Sequence, residues 1–313
     1  MNTVITKQKR ILGGLYGSLV GDALGVPVEF LGRETLRANP VAGMRAYGTH
    51  HQPSGTWSDD GALLLCSAES LLQVGIDLED MSRRFLRWYD HALWTATGEV
   101  FDIGIATRGA IGRIRSGSPA CLAGSRDPYS NGNGSLMRIL PVAVAGHEMS
   151  DADMIPLVEQ ASCITHGHPR SQMACVFYSL VVRDLLAGAE FLSALQSSRM
   201  AFESRYSEDP ELSVFRDVLS VDFCSVPENE IRSGGYVMET LTASLWAVAT
   251  TTCFADCVLK AVNLGSDSDT TGCVAGGLAG LLYGVDAIPK EWIDVLPRAN
   301  ELQHLCTQFA EKY

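Results

Sequence analysis

"NLGSDSDTTGCVAGGLAGLLYG", residues 263–284, holds two aspartates one residue apart, two threonines, and glycines at 272, 276, 280 and 284. How this stretch folds decides the class of the whole chain. A D-x-D-x-T box directly after a buried strand marks a parallel-sheet phosphotransferase of the haloacid-dehalogenase type, with the first aspartate as nucleophile. Here "NLGS" precedes Asp267, Asp269 and Thr271, and it does not read as a buried strand. The stretch after the box carries a four-residue glycine period, which makes one smooth stripe along a helix. The box therefore reads as a helix N-terminus.

An EF-hand calcium loop shares the first half of this spelling. Its twelfth position must be a bidentate glutamate, and that position here is Leu278. The EF-hand reading fails.

Outward from this stretch, helical periodicity dominates. Segments 61–75, 80–93, 171–188 and 236–252 place apolar residues three and four apart. Gly75 and Gly188 stand where helices would stop. Alternating strand patterns and a β-α-β series are not found, so the expected class is all-α, in one domain over 1–313. Residues 202–235 are more polar, contain Pro210 and Pro227, and read as helices with a long surface loop. A second glycine ladder, Gly13, Gly17, Gly21 and Gly25, repeats the four-residue spacing. Each glycine costs a helix roughly 0.5–1 kcal/mol against alanine, so both ladders call for close helix packing.

Bulk composition narrows the function. The 313 residues carry 36 acids against 24 bases, a net charge of −12. No basic excess exists to neutralise nucleic-acid or membrane phosphates. Nine cysteines without a C-x-x-C pair suit reduced thiols in a cytoplasm. "KQKR" before the apolar run "ILGGLYGSLVG" imitates a secretory leader, but Asp22 interrupts it and no clean cleavage site follows. The run also reads as too short and too glycine-rich for a membrane span.

A second acidic cluster lies at Ser58, Asp59 and Asp60, just before an apolar helix. Capping accounts for one carboxylate or hydroxyl per helix start. Two carboxylates at each of two helix starts exceed that need. Brought together, four carboxylates repel unless cations balance them, and an all-oxygen ligand set suits a hard divalent ion such as Mg²⁺. From spacing alone, paired capping and a metal site both stand.

"GDALGVPVEF", "GTWSDD", "FDIG", "NGNGSLMR", "SGGYVMETL" and "NLGSDSDTTG" occur in this order. Together they resemble the ADP-ribosylglycohydrolase family, especially its dinitrogenase-reductase-activating and ADP-ribosylarginine branch, from about residue 10 to about 293. The resemblance implies an orthogonal helical bundle with a dinuclear Mg²⁺ (or Mn²⁺) cleft. It implies metal ligands at Ser58, Asp59, Asp60, Asp267, Asp269 and Thr270. The first motif commonly reads T-D-D-T, and Ser58 and Gly61 depart from it, Ser58 keeping the hydroxyl. Glu29 and Asp102 match catalytic positions, against the plain alternatives of a first-turn acid and a helix cap. Asn133, Gly134, Ser135 and His166 match ADP-ribose contacts, while Arg138 reads as a loop anchor and His168 receives no role. Tyr236 is either a ligand contact or core packing.

The implied activity is metal-dependent hydrolysis at the ribose anomeric carbon, releasing ADP-ribose from a modified protein, with arginine as the first candidate acceptor. Serine, a nucleobase or O-acetyl-ADP-ribose is the alternative linkage, and a silent crystallin-like relative the alternative class.

Overall fold

The computed structural model describes residues 5–313. Among them are eleven helices of nine residues or more: α1 Lys7–Gly25, α2 Asp59–Val74, α3 Leu78–His91, α4 Ile105–Arg115, α5 Asp151–Cys163, α6 Pro169–Leu186, α7 Phe191–Tyr206, α8 Val237–Ala249, α9 Phe254–Val262, α10 Ser268–Tyr283 and α11 Ala299–Lys312. No strand forms among the described residues; the only extended pairings are three isolated bridges. The fold is all-α, as the periodicity indicates. The four segments read as helical are α2, α3, α6 and α8, with ends shifted by one to three residues. Gly75 closes α2 with φ 81° and Gly188 follows α6 with φ 88°. Residues 207–235 form short single turns rather than long helices.

The two glycine ladders turn out to be partners. A Cβ on Gly13, Gly17 or Gly21 would lie 2.1, 2.2 or 2.0 Å from the backbone oxygen of Gly280, Gly276 or Gly272 respectively. A Cβ on Gly25 would lie 2.3 Å from the Asp269 backbone. Backbone therefore meets backbone from Gly13 to Gly25 on α1 and from Asp269 to Gly280 on α10, which no other residue type permits. This pair runs through the middle of the core, and both helices are buried on nearly every face.

Burial on all sides also explains the N-terminal apolar run. Residues Lys7–Val28 are long and apolar enough to pass for a membrane span, longer than the short run read from sequence, yet 89% of their most apolar window is buried inside the fold. The helix is a core element. Its ladder has a direct consequence for the site: it locks the start of α10, and so Asp269, against the end of α1.

Candidate active site

The N-termini of α2 and α10 converge. Ser58 caps α2, its hydroxyl oxygen accepting from the Asp60 N–H at 3.2 Å. Asp267 occupies the cap position of α10 but makes no side-chain cap bond. Capping thus uses a serine and leaves the carboxylates free. Across the junction the Thr270 hydroxyl reaches Asp60 Oδ1 at 3.3 Å.

Asp60 and Asp269 are fully buried, and Asp59 nearly so. Asp60 Oδ2, Asp267 Oδ1 and both oxygens of Asp269 are buried with no hydrogen-bond partner among the described residues. Buried acceptors are ordinarily satisfied, so four orphaned carboxylate oxygens at one junction ask for a ligand. Burial, joined by neighbouring carboxylates, pushes Asp59, Asp60 and Asp269 well above the usual carboxylate range, and burial also raises Asp267. Cations relieve that penalty. An all-oxygen, acidic donor set with unused lone pairs fits hard divalent ions.

One further acid braces this junction, and sequence reading passed it over. Asp22 on α1 accepts from the Ser58 N–H at 2.9 and 3.0 Å and from the Gly61 N–H at 2.8 Å. It satisfies backbone donors at the start of α2 that a helix leaves unpaired. Burial pushes it up to about 7, against the lowering effect of those N–H groups. Its sequence signal was a lone charge inside an apolar glycine ladder. Gly61 has no room for a side chain: a Cβ would sit 2.8 Å from Trp57 Cγ and 2.9 Å from Leu19 Cδ2.

Above the junction opens a cleft of about 670 Å³. Glu29, Asp59, Asp60, Asp102, Asn133, Gly134, His166, Asp267 and Thr270 line it. Ser58 and Asp269 lie beneath its floor rather than in its lining. Asp102 adopts a left-handed backbone, φ 58°, a conformation that costs free energy and recurs where side chains are aimed at a site. Phe30 and Ser266, also left-handed, join the two motif loops: Phe30 N–H donates to Ser266 C=O at 2.7 Å, and Ser266 N–H to Leu31 C=O at 2.8 Å.

Glu29 and Asp102 share a third partner that the sequence did not announce. His50 Nε2 contacts the Glu29 carboxyl and stands 3.9 Å from Asp102 Oδ1. Burial and then the Asp102 charge push Glu29 up to about 10, while burial and His51 push His50 down. Both neutral forms are favoured, so the contact is a hydrogen bond sharing one proton rather than an ion pair. Asp102 rises to about 6, through burial and then Asp267.

The glycine-rich loop divides its residues. Asn133 Nδ2 donates to Asp267 Oδ2 at 3.0 Å and to Thr240 Oγ1 at 2.9 Å, so it also holds a carboxylate in place. Gly134 cannot carry a side chain, since a Cβ would meet His166 Cε1 at 2.8 Å and Thr107 Oγ1 at 2.9 Å. Ser135 points the other way: it is wholly buried, accepts from Ser162 Oγ at 2.9 Å, and does not line the cleft. Tyr236 faces a neighbouring cavity of about 340 Å³ with Arg232 and Glu239, its hydroxyl accepting from Arg170 at 3.0 Å. Neither residue is a cleft contact in this structure. His168 caps α6, its Nδ1 accepting from the Arg170 N–H at 3.2 Å. Thr107 and the exposed Phe30, Ile105 and Tyr129 complete the wall and rim.

The chain is similar to known proteins. The sequence pattern described as ADP-ribosylglycohydrolase matches residues 3–313. The chain is 33% identical over 298 residues to the ADP-ribosylarginine hydrolase Tri1 of Serratia proteamaculans (strain 568), covering 95% of this chain and 77% of that one. It is 33% identical over 304 residues to the ADP-ribosyl-[dinitrogen reductase] glycohydrolase of Rhodospirillum rubrum, covering 92% and 90%. A solved structure, an ADP-ribosylglycohydrolase-related protein complex, superposes with a TM-score of 0.82 at 35% identity, covering 97% of this chain and 98% of that one. With the pattern matched from end to end and the fold shared over nearly all its length, the chain belongs to the ADP-ribosylglycohydrolase family and is a hydrolase of that family.

Proposed function

We propose that this hydrolase releases ADP-ribose from ADP-ribosylated arginine on protein, with two divalent ions, Mg²⁺ or Mn²⁺, held at the α2–α10 junction. The observation that carries the proposal is the set of four buried, unpartnered carboxylate oxygens of Asp60, Asp267 and Asp269 beneath the cleft. Asp59 and Thr270, which line its floor, complete the holding set, and Ser58 supports it from the α2 cap. Divalent ions held there supply Lewis-acid polarisation of substrate oxygens and charge balance for the carboxylates.

The protein's own groups divide the remaining work. Cleavage at an anomeric carbon passes through an oxocarbenium-like transition state and needs carboxylates to manage protons. Asp102, on the cleft wall with a left-handed backbone, suits a general base for the attacking water. Glu29, braced by His50 on the same wall, is placed to pass a proton to the guanidine nitrogen that leaves as the bond to the anomeric carbon breaks. The cleft volume of about 670 Å³ lies within the range of small-ligand sites. Arginine is favoured over serine, a nucleobase or an O-acetyl ester because the two named relatives at 33% identity include an ADP-ribosylarginine hydrolase. The macromolecular partner is then an ADP-ribosylated protein. Nine free cysteines, six of them buried, support a reducing, cytoplasmic setting.

Parallel assays on ADP-ribosylated arginine, serine and nucleic-acid substrates, with and without chelator, test this reading. Free ADP-ribose should appear from the arginine substrate, stop in EDTA and return with Mg²⁺ or Mn²⁺. Full activity in excess chelator would refute the metal reading, and turnover of serine or nucleobase linkages alone would refute the acceptor. No turnover of any substrate would favour the silent alternative.

A further inference from the structure

Arg138 is the most anomalous side chain outside the acidic junction. It is wholly buried and, among the described residues, has no carboxylate partner and leaves Nε and one terminal nitrogen without hydrogen bonds. Burial pulls its pKa down to about 10. Its guanidinium lies 4.6 Å over the Phe85 ring, and a single terminal nitrogen donates to Ala161 C=O at 3.0 Å and to Thr165 Oγ1 at 2.8 Å. A buried cation at such cost is disfavoured as mere loop anchorage, for which an apolar side chain would serve.

The Thr165 contact gives it a purpose. Thr165 is wholly buried, and its hydroxyl has two hydrogen-bond partners among the described residues: Arg138 and, at 3.0 Å, His166 Nδ1. Arginine can only donate. The Thr165 oxygen therefore accepts from Arg138, and its own hydrogen has one acceptor within reach, His166 Nδ1. If Nδ1 carried the proton instead, two donors would face one oxygen and the threonine hydrogen would be orphaned in the core, a costly arrangement. With Nδ1 accepting, the ring's proton sits on Nε2.

The Nε2 side of the ring borders the cleft. A Cβ on Gly132 would lie 3.4 Å from Nε2, and one on Gly134 would lie 2.8 Å from Cε1, so both glycines keep that edge clear. Burial and then the Arg138 charge push His166 down to about 3, which keeps it neutral throughout the physiological range.

We infer that Arg138 and Thr165 are positioning residues that fix His166 in its Nε2–H tautomer, making it a permanent neutral donor to an acceptor oxygen of the bound ADP-ribosyl group. The identity of that group rests on the function proposed above; the tautomer does not. The direction of the relay runs one way, from guanidinium to hydroxyl to imidazole, because its first member cannot accept.

Long-range ¹⁵N–¹H NMR on the ligand-free protein reads the tautomer, and calorimetric titration with ADP-ribose reads its use. We expect wild-type His166 to show Nε2–H and no titration between pH 5 and 8. Thr165→Val, which keeps the shape and removes the hydroxyl, should mix the tautomers and weaken ADP-ribose binding roughly three- to tenfold. Thr165→Ser should restore both. A wild-type Nδ1–H tautomer, or Thr165→Val binding unchanged with an unmixed tautomer, would overturn the inference. Wild-type protein that shows the Nε2–H form yet binds no ADP-ribose would overturn the assigned ligand and the proposed function, leaving the relay itself established.

Discussion

Thr270 and Asp60 are 210 residues apart in sequence, yet the threonine hydroxyl donates to the aspartate at 3.3 Å. One chemical unit is therefore assembled from the starts of two helices near opposite ends of the chain. Asp60→Ala and Asp269→Ala should each lower turnover by roughly a hundredfold or more, since ligands that hold one centre fail together. The double variant should be little worse than either single one. Kinetics on the three proteins check this; independent, additive losses would show that the two residues serve separate ends.

Carboxylates raised by burial make a signed prediction about pH. Asp22, Asp102 and Glu29 stand at about 7, 6 and 10, above ordinary values of 3.8, 3.8 and 4.5. Between about pH 4 and 7 the folded, metal-free protein thus binds more protons than the unfolded chain, and stability falls as pH rises. Thermal melts in EDTA should give a higher Tm at pH 5 than at pH 7.5, and saturating Mg²⁺ should flatten the slope. Asp60→Asn should flatten it without metal, which separates the cluster from the general repulsion of a chain with net charge −12.

Asp102→Asn keeps the shape of the side chain and removes its proton chemistry. Turnover should fall by roughly a hundredfold, while ADP-ribose affinity should change little, because the proton transfer belongs to the transition state. Steady-state kinetics with product-binding titrations check the split. An unchanged kcat would reduce Asp102 to a loop residue with an unusual backbone.

Two glycine-to-alanine changes should move stability in opposite directions. At Gly25 the new methyl would meet the Asp269 backbone at 2.3 Å. That change should destabilise by roughly 2–4 kcal/mol and displace a proposed ligand, so activity falls too. At Gly112, on the exposed side of α4, nothing lies within 4 Å. There alanine should stabilise by about 0.5–1 kcal/mol, as denaturant melts would show.

The all-α class was legible because the apolar residues of α2, α3, α6 and α8 keep a helical period that no strand could use. Each glycine ladder was legible as a stripe, but its partner was not, because a stripe carries no address. Asp22 escaped notice for a related reason: a single acid in an apolar helix looks like an interruption until the backbone N–H groups of Ser58 and Gly61 are seen beside it. His50 sits in a loop shaped by left-handed Tyr47, Gly48 and His51, where no periodicity exists to aim a side chain. The same lack of period in "NGNGSLMR" explains Ser135, which points into the core while Asn133 and Gly134 face the cleft.

The α1–α10 backbone contact also sets a clock on synthesis. Gly13 and Gly17 can find their partners only after Gly280 and Gly276 have left the ribosome, with more than 250 residues in between. Contacts so distant in sequence form late, after loop closure has been paid entropically. Until then α1 must wait as an apolar segment with one bare stripe, a ready target for chaperones. A chain cut short before residue 268 could keep many of its helices, but it would lack Asp269 and the wall that holds Asp60, and would hydrolyse nothing.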